Sequence, residues 1–222
     1  EIARAERLIS PFRNDSQIAH LHRHGREWVA LDPEVIGLLT LCQGLRDATN
    51  GFFDPTLGRG RFEVEGGRAR LVDADTRLDL GAIGKGWAID RAVETLRENG
   101  VSCALLHGGT STVAAIGCPP DAEAWRISVG SEGAALLRDG TALSVSAPHG
   151  RSREVSHVID PRCGEPTADR DLVAVVAPSA AHADAWSTAL LVDGDPPAHL
   201  SSMIVEGDRT RSHDPDGVFV SE

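Results

Sequence analysis

The sequence predicts an α+β protein of mixed sheets with packed helices, and three observations predict it. Short apolar runs come in successive groups, punctuated by a few segments of helical period, an order unlike the strict alternation of βαβ chains. The 222 residues are 41% hydrophobic and 25% charged, the composition of a soluble globular protein long enough to bury a full core. No repeat, low-complexity tract or linker divides the chain, so residues 1–222 read as one domain, or as two tightly joined lobes.

Ile2, Ala5, Leu8 and Ile9 recur at helical spacing, and Ser10-Pro11 breaks that helix. The chain thus opens at Glu1, without methionine, already inside a helical pattern, which places the natural start upstream. Asn14-Asp15-Ser16 supplies an N-cap for a short helix through Leu21. His20, His22 and His24 alternate; on a strand they would share one face as a metal site, and otherwise they form an exposed polar turn. Asp32-Pro33 starts the next helix, with Val35, Ile36, Leu38, Leu39, Cys42 and Leu45 on its buried face and Asn50-Gly51 at its end. Phe52 to Gly58 reads as a turn or as a pocket-lining loop with two aromatics and a carboxylate.

A hairpin follows, with strands near Phe62–Val64 and Ala69–Val72, and Leu78 and Leu80 close a further apolar strand. Residues 79–100 then read as strand end, glycine turn, helix and stop. Gly81, Gly84 and Gly86 free this turn for positive φ and for close backbone approach. Trp87, Ile89, Ala92, Val93 and Leu96 carry the helix, and Asn99-Gly100 ends it. Later strands are expected at Cys103–Leu106, Val113–Ile116, Trp125–Val129, Ala142–Val145, Val155–Ile159 and Leu172–Val176. Pro178 to Val192 is an almost wholly apolar helix, and Ser202–Val205 and Val218–Val220 are two last strands around an Asp-rich turn.

A formal net charge of −11 argues against a nucleic-acid binder that works by neutralising phosphates, though not against a local positive pocket. No apolar run approaches membrane-spanning length. Cys42, Cys103, Cys118 and Cys163 are scattered without a C-x-x-C, which fits neither a zinc ribbon nor a disulfide scaffold. Free thiols point to a reducing compartment, hence the cytoplasm, with export or lipid anchoring left open by the missing start.

Three stretches carry chemistry. Lys85, the only lysine among the 22 Lys and Arg residues, stands at a glycine-rich helix start that suits an anion. The glycine spacing matches neither a Walker loop nor a dinucleotide fingerprint. Asp184 and Thr188 lie four apart on one helical face: either two hard oxygen ligands suited to Mg²⁺, or an Asp favoured by the helix N-terminus beside a Thr packed among alanines. His157 and Asp160 end a strand and enter a turn, where a lone histidine is usually structural. A hydrolase triad with Ser144 or Ser146 lacks the G-x-S-x-G elbow.

In order, Leu8 to Ser16, Gly51 to Gly58, Asp79 to Asp90, Gly108-Gly109, His157 to Gly164 and Ala183 to Leu190 resemble motifs of the FAD:protein FMN transferase (ApbE) family, over nearly the whole chain. The resemblance implies an ApbE-like, T-fold-like α+β arrangement with the flavin site in a cleft between lobes. It implies an enzyme that cleaves FAD with Mg²⁺, links FMN through a phosphoester to a threonine or serine hydroxyl of an acceptor flavoprotein, and releases AMP. Asp184 and Thr188, with the backbone carbonyl of Ala82, would hold the metal. Phe12, Phe52, Phe53, Asp54, Asp79, Lys85 and Ile159 would line the FAD site, and His157 would take the acceptor hydroxyl's proton. The sequence departs from the family pattern in three places: Cys163 replaces a threonine, Val145-Ser146-Ala147 replaces Thr-Ser-Gly, and Ser187 stands where some members carry an acid. The family's first strand would precede Glu1. Two other readings accompany this one: an FAD-binding or storage protein without transfer, and a Mg²⁺-dependent FAD pyrophosphatase giving FMN and AMP.

Overall fold

The computed structural model describes residues 1–148, 158–167, 170–193 and 195–221. Among them, the largest sheet is antiparallel and six-stranded, with spatial order β11-β10-β9-β8-β5-β4. Its strands are β4 (Ala104–Gly108), β5 (Thr112–Ile116), β8 (Ala142–Ser146), β9 (Leu172–Ala177), β10 (Ser201–Glu206) and β11 (Arg209–His213). A second sheet, β12-β7-β6, joins β6 (Trp125–Ser128), β7 (Ala134–Leu137) and β12 (Phe219–Val220). A third, β1-β3-β2, joins β1 (Val29–Ala30), β2 (Phe62–Glu65) and β3 (Arg68–Leu71).

The period of two along β9 explains the layering. Val173, Val175 and Ala177 point into one core with the helices; Ala174 and Val176 point into another with Ala135 and Leu137 of the smaller sheet. With both faces covered, β9 reads as an unbroken apolar run although its neighbours are antiparallel. On the helical side lie α4 (Gly84–Glu98) and α5 (Ala180–Val192), joined in the same core by α1 (Ile2–Ile9), α2 (Gln17–His24) and α3 (Pro33–Ala48). α5 is apolar nearly all round because it sits between this sheet and the other helices.

The caps follow local chemistry. Ser16 accepts from Ala19 N at 3.0 Å at the start of α2, and Asp32 from Glu34 N at 2.9 Å, with Pro33 at the first position of α3. Cys42 faces the core from α3, and burial pushes its thiol up to about 12. Among the described residues no helix is long and apolar enough to cross a membrane.

Several expectations are corrected. Residues 76–80 form no strand: Leu78 and Leu80 are buried, but Leu78 N donates to the His22 ring and Asp79 N to Pro55 O. Helix α4 begins at Gly84, so Lys85 and Gly86 lie in its first turn, and Gly81, Gly84 and Gly86 are absent from the positive-φ set. The histidines at 20, 22 and 24 lie on α2, not on a strand. Helical spacing brings the His20 and His24 rings to 4.7 Å while His22 faces inward to Leu78 N. Among the described residues no three His, Cys, Asp or Glu side chains gather as a metal site. The tail divides between sheets, β10 and β11 pairing in one and β12 joining β7 in another. The strand expected at Val155–Ile159 falls mostly outside the described residues; Ile159 makes an isolated bridge to Pro166.

Candidate functional site

Asp184 is the centre of the site. It lies in the second turn of α5, is 2% exposed, and faces the sheet. Its Oδ1 accepts from Ser144 Oγ at 2.8 Å, Lys85 Nζ at 3.0 Å and Thr112 Oγ1 at 3.3 Å; its Oδ2 accepts from Gly86 N at 3.0 Å. The sheet register presents these hydroxyls together. Thr112 on β5 is paired with Ser144 on β8, and Ser144 with Val175 on β9, so all three point to the side that carries α5. Two residues along β8, Ser146 takes the same direction and meets Ser187 Oγ at 2.8 Å and Thr188 Oγ1 at 3.3 Å. Thr188 Oγ1 also donates to the backbone carbonyl of Asp184 at 3.1 Å.

Two residues of α4, one turn apart, lock it against α5. Asp90 accepts from Ala180 N at 2.8 Å and Ala181 N at 2.9 Å, taking up two free amides at the start of α5. Burial raises the Asp90 carboxyl, and those two amide bonds oppose the rise. Gly86 lets the backbones touch: a Cβ there would lie 2.2 Å from Ala180 O.

A cleft of about 640 Å³ opens beside Asp184. Of the residues expected at a metal or flavin site, Phe52, Phe53, Asp54, Asp79, Ala82, Lys85, Ile159, Asp184 and Thr188 all line it. Phe12 does not. It is 95% exposed and belongs to an adjoining, mostly apolar hollow of about 600 Å³ that shares Asp79, Gly81 and Lys85 with the cleft. His157 lies outside the described residues. Another hollow, about 570 Å³, runs along α3 and α4 and holds none of the expected residues; its Glu34, Glu94 and Arg97 side chains are engaged in ion pairs.

The lip is held by local turns. Asp54 spends its carboxylate internally, accepting from Thr56 N and Oγ1 at 2.8 Å each and pairing with Arg46 at 3.1 Å. Asp79 caps its own turn through Gly81 N at 2.7 Å. Across the mouth, Arg162 sits 3.7 Å over the Phe52 ring and pairs with Asp160, whose carboxyl it holds below the usual range. Cys163 occupies this turn, which Gly164 N closes on Asp160 O at 2.8 Å.

The hydroxyl cluster of Thr112, Ser144 and Ser187 and the Asp90 clamp were not found from sequence. A signal existed for the first: Thr112, Ser144 and Ser146 are polar positions in otherwise apolar strands, facing a helix with one carboxylate.

The family model described as "ApbE family" matches residues 1–61 and 59–202. The chain belongs to the ApbE family. It is 29% identical over 239 residues to an FAD:protein FMN transferase of Klebsiella pneumoniae (strain 342), covering 85% of this chain and 68% of that protein. It is 34% identical over 145 residues to an FAD:protein FMN transferase of Rhodobacter capsulatus, but spans only 27% of that longer relative. Among solved structures, the apo flavinyl transferase ApbE of Pseudomonas stutzeri superposes with a TM-score of 0.81 at 23% identity, covering 95% of this chain and 82% of that one. The ApbE protein of Thermotoga maritima gives 0.82 at 22% identity, covering 94% and 85%. The mixed α+β architecture is therefore the ApbE fold.

Proposed function

We propose that this ApbE-family chain is a Mg²⁺-dependent FAD:protein FMN transferase. The observation that carries the reading is the convergence on one cleft of Asp184, Thr188, Ala82 and Lys85 with the aromatic wall of Phe52 and Phe53. The donors suit the ion: a carboxylate, a hydroxyl and a backbone carbonyl are hard oxygens, and a buried carboxylate already neutralised by an ammonium marks a place where positive charge is favoured. Bound by Asp184, Thr188 and the Ala82 carbonyl, Mg²⁺ would neutralise pyrophosphate charge and help fix the line of displacement.

The remaining roles fall to the chain. Phe52, Phe53 and Ile159 offer the apolar walls for the flavin nucleotide, and the Phe12 hollow extends that surface past Asp79. Lys85 brings a point charge to the pyrophosphate. Gly86 N and Lys85 Nζ both meet Asp184, and of the two only the lysine, on a flexible and partly exposed stem, can swing to the phosphate. A threonine or serine hydroxyl of the acceptor flavoprotein attacks the FMN-side phosphorus; the bond to AMP breaks, and His157 takes the hydroxyl proton. The cytoplasmic placement, with which the four free cysteines agree, and the reading of residues 1–222 as a single domain both belong to this proposal.

The test is incubation with FAD, Mg²⁺ and an acceptor carrying a target threonine, followed by intact-mass measurement. FMN added to the acceptor, with one AMP released per label, supports transfer. FMN and AMP without labelling indicate a pyrophosphatase, and intact bound FAD indicates storage; either result overturns the proposal.

A further inference from the structure

Lys85 stands where two binding sites meet. Its side chain lines both the cleft and the adjoining hollow, and it is 39% exposed against 3% for its partner Asp184. The Asp184 carboxylate accepts four hydrogen bonds, three on Oδ1 and one on Oδ2. Three of the four belong to buried side chains or to backbone. The Thr112 and Ser144 hydroxyls are buried on β5 and β8, and the Gly86 amide is part of α4. The fourth, an ammonium on a flexible four-carbon stem at the edge of open space, can leave.

We propose that Lys85 is the resident counter-ion of Asp184, displaced when a divalent cation binds there, and that the FAD pyrophosphate draws it away, so that Lys85 couples the two binding events. This rests on the reading above that Asp184 holds the ion. Two cations compete for one carboxylate, and the lysine is tethered beside it. Metal affinity without FAD is therefore reduced by the fraction of molecules in which Lys85 has already left. A ligand that holds Lys85 in the displaced position removes that reduction, and by linkage the metal tightens that ligand in return. The exchange also leaves a cation beside Asp184 both before and after the ion binds, which a buried carboxylate favours.

Because the chain has one lysine, labelling with ¹³Cε-lysine gives one side-chain signal. In the full wild-type chain this signal is expected to move on titration with Mg²⁺, and to move separately when FAD is added in EDTA. Mn²⁺, a hard cation followed by its EPR signal, is expected to bind Lys85→Met about tenfold or more tightly than wild type, and that gain is expected to vanish when Asp184→Asn is added. An immobile lysine signal under saturating Mg²⁺, equal or weaker Mn²⁺ affinity in Lys85→Met, or a gain that survives Asp184→Asn would each overturn the proposal. Should Lys85→Met not fold, the wild-type signal decides alone. The acceptor-labelling assay is separate: labelling without any response of Lys85 refutes only the coupling, and a Mn²⁺ gain without labelling refutes only the transfer.

Discussion

Gly86→Ala is the sharpest perturbation of the site that leaves every functional side chain in place. A Cβ at this position would lie 2.2 Å from Ala180 O, 2.5 Å from Ala180 C and 2.7 Å from Ala181 N, all backbone atoms of the first turn of α5. Carbon contacts settle near 3.5 Å, so the helices must part by roughly 1 Å. That movement stretches the Gly86 N bond to Asp184 (3.0 Å) and the Asp90 bonds to Ala180 N (2.8 Å) and Ala181 N (2.9 Å). Overpacking costs about 1–3 kcal/mol, and weakened bonds to charged groups add about 1.5–3 kcal/mol. Against this, alanine gains about 1 kcal/mol of helix propensity over glycine. The net expectation is a loss of about 1.5–5 kcal/mol, or about 3–20 °C in Tm for a chain of this size. Gly44→Ala is the control. Gly44 lies inside α3, where an added Cβ would meet nothing within 4 Å, so the same change there is expected to be neutral or stabilising by up to about 1 kcal/mol. Thermal and urea unfolding of both variants measures the difference, and Mn²⁺ titration of Gly86→Ala is expected to show weaker binding. Equal stability of the two variants would refute the claim that the α4–α5 contact depends on a missing side chain.

Other expectations follow from the same geometry. Asp184→Ala removes the acceptor of four donors and is expected to abolish Mg²⁺-dependent turnover; unchanged AMP release would sink the metal assignment. His157→Ala should leave FAD binding intact, followed by flavin fluorescence, while slowing acceptor labelling, and full-rate labelling would remove it from the base role. Asp90→Ala uncaps α5 and is expected to cost about 1–2 kcal/mol in urea unfolding, with no change meaning that the clamp is idle. His22 gives a pH dependence. Burial, then the nearby Arg77, lower its imidazole, and its Nε2 accepts from Leu78 N at 2.9 Å. The unfolded chain therefore binds this proton more readily than the folded one. The stabilisation is fully present above about pH 6.5 and is lost as pH falls from there through the lowered folded value. His22→Gln should flatten that part of the stability profile, and an unaltered profile would exclude His22 as its source.

Much of the site was legible because it is local. Phe52 to Thr56 forms its own turn through Asp54, and Asp184 and Thr188 share a face by helical spacing alone, so their placement required no knowledge of the fold. The α+β class and the strong helices were legible for the same reason. Elements held by neighbours were not. β7 is built from Ala134, Ala135, Leu136 and Leu137, which have no strand pattern of their own, and β11 is polar throughout; each exists because an adjacent strand offers it hydrogen bonds. Leu78 and Leu80 misled in the opposite direction, since burial alternates there without any strand partner.

By itself, then, the sequence determined the α+β class, the α4 and α5 helices, the paired Asp184 and Thr188, and a lone lysine beside three glycines. Period, capping and turn chemistry act over a few residues, and such signals survive without a fold. Only the tertiary structure decided what those residues do to one another. Across 98 residues of chain it set Gly86 N on Asp184, across 72 it set Thr112 there, and it gave Lys85 a buried carboxylate in place of open solvent. Sheet register and the close contact of two helices made those meetings, and both depend on atoms far apart in the sequence.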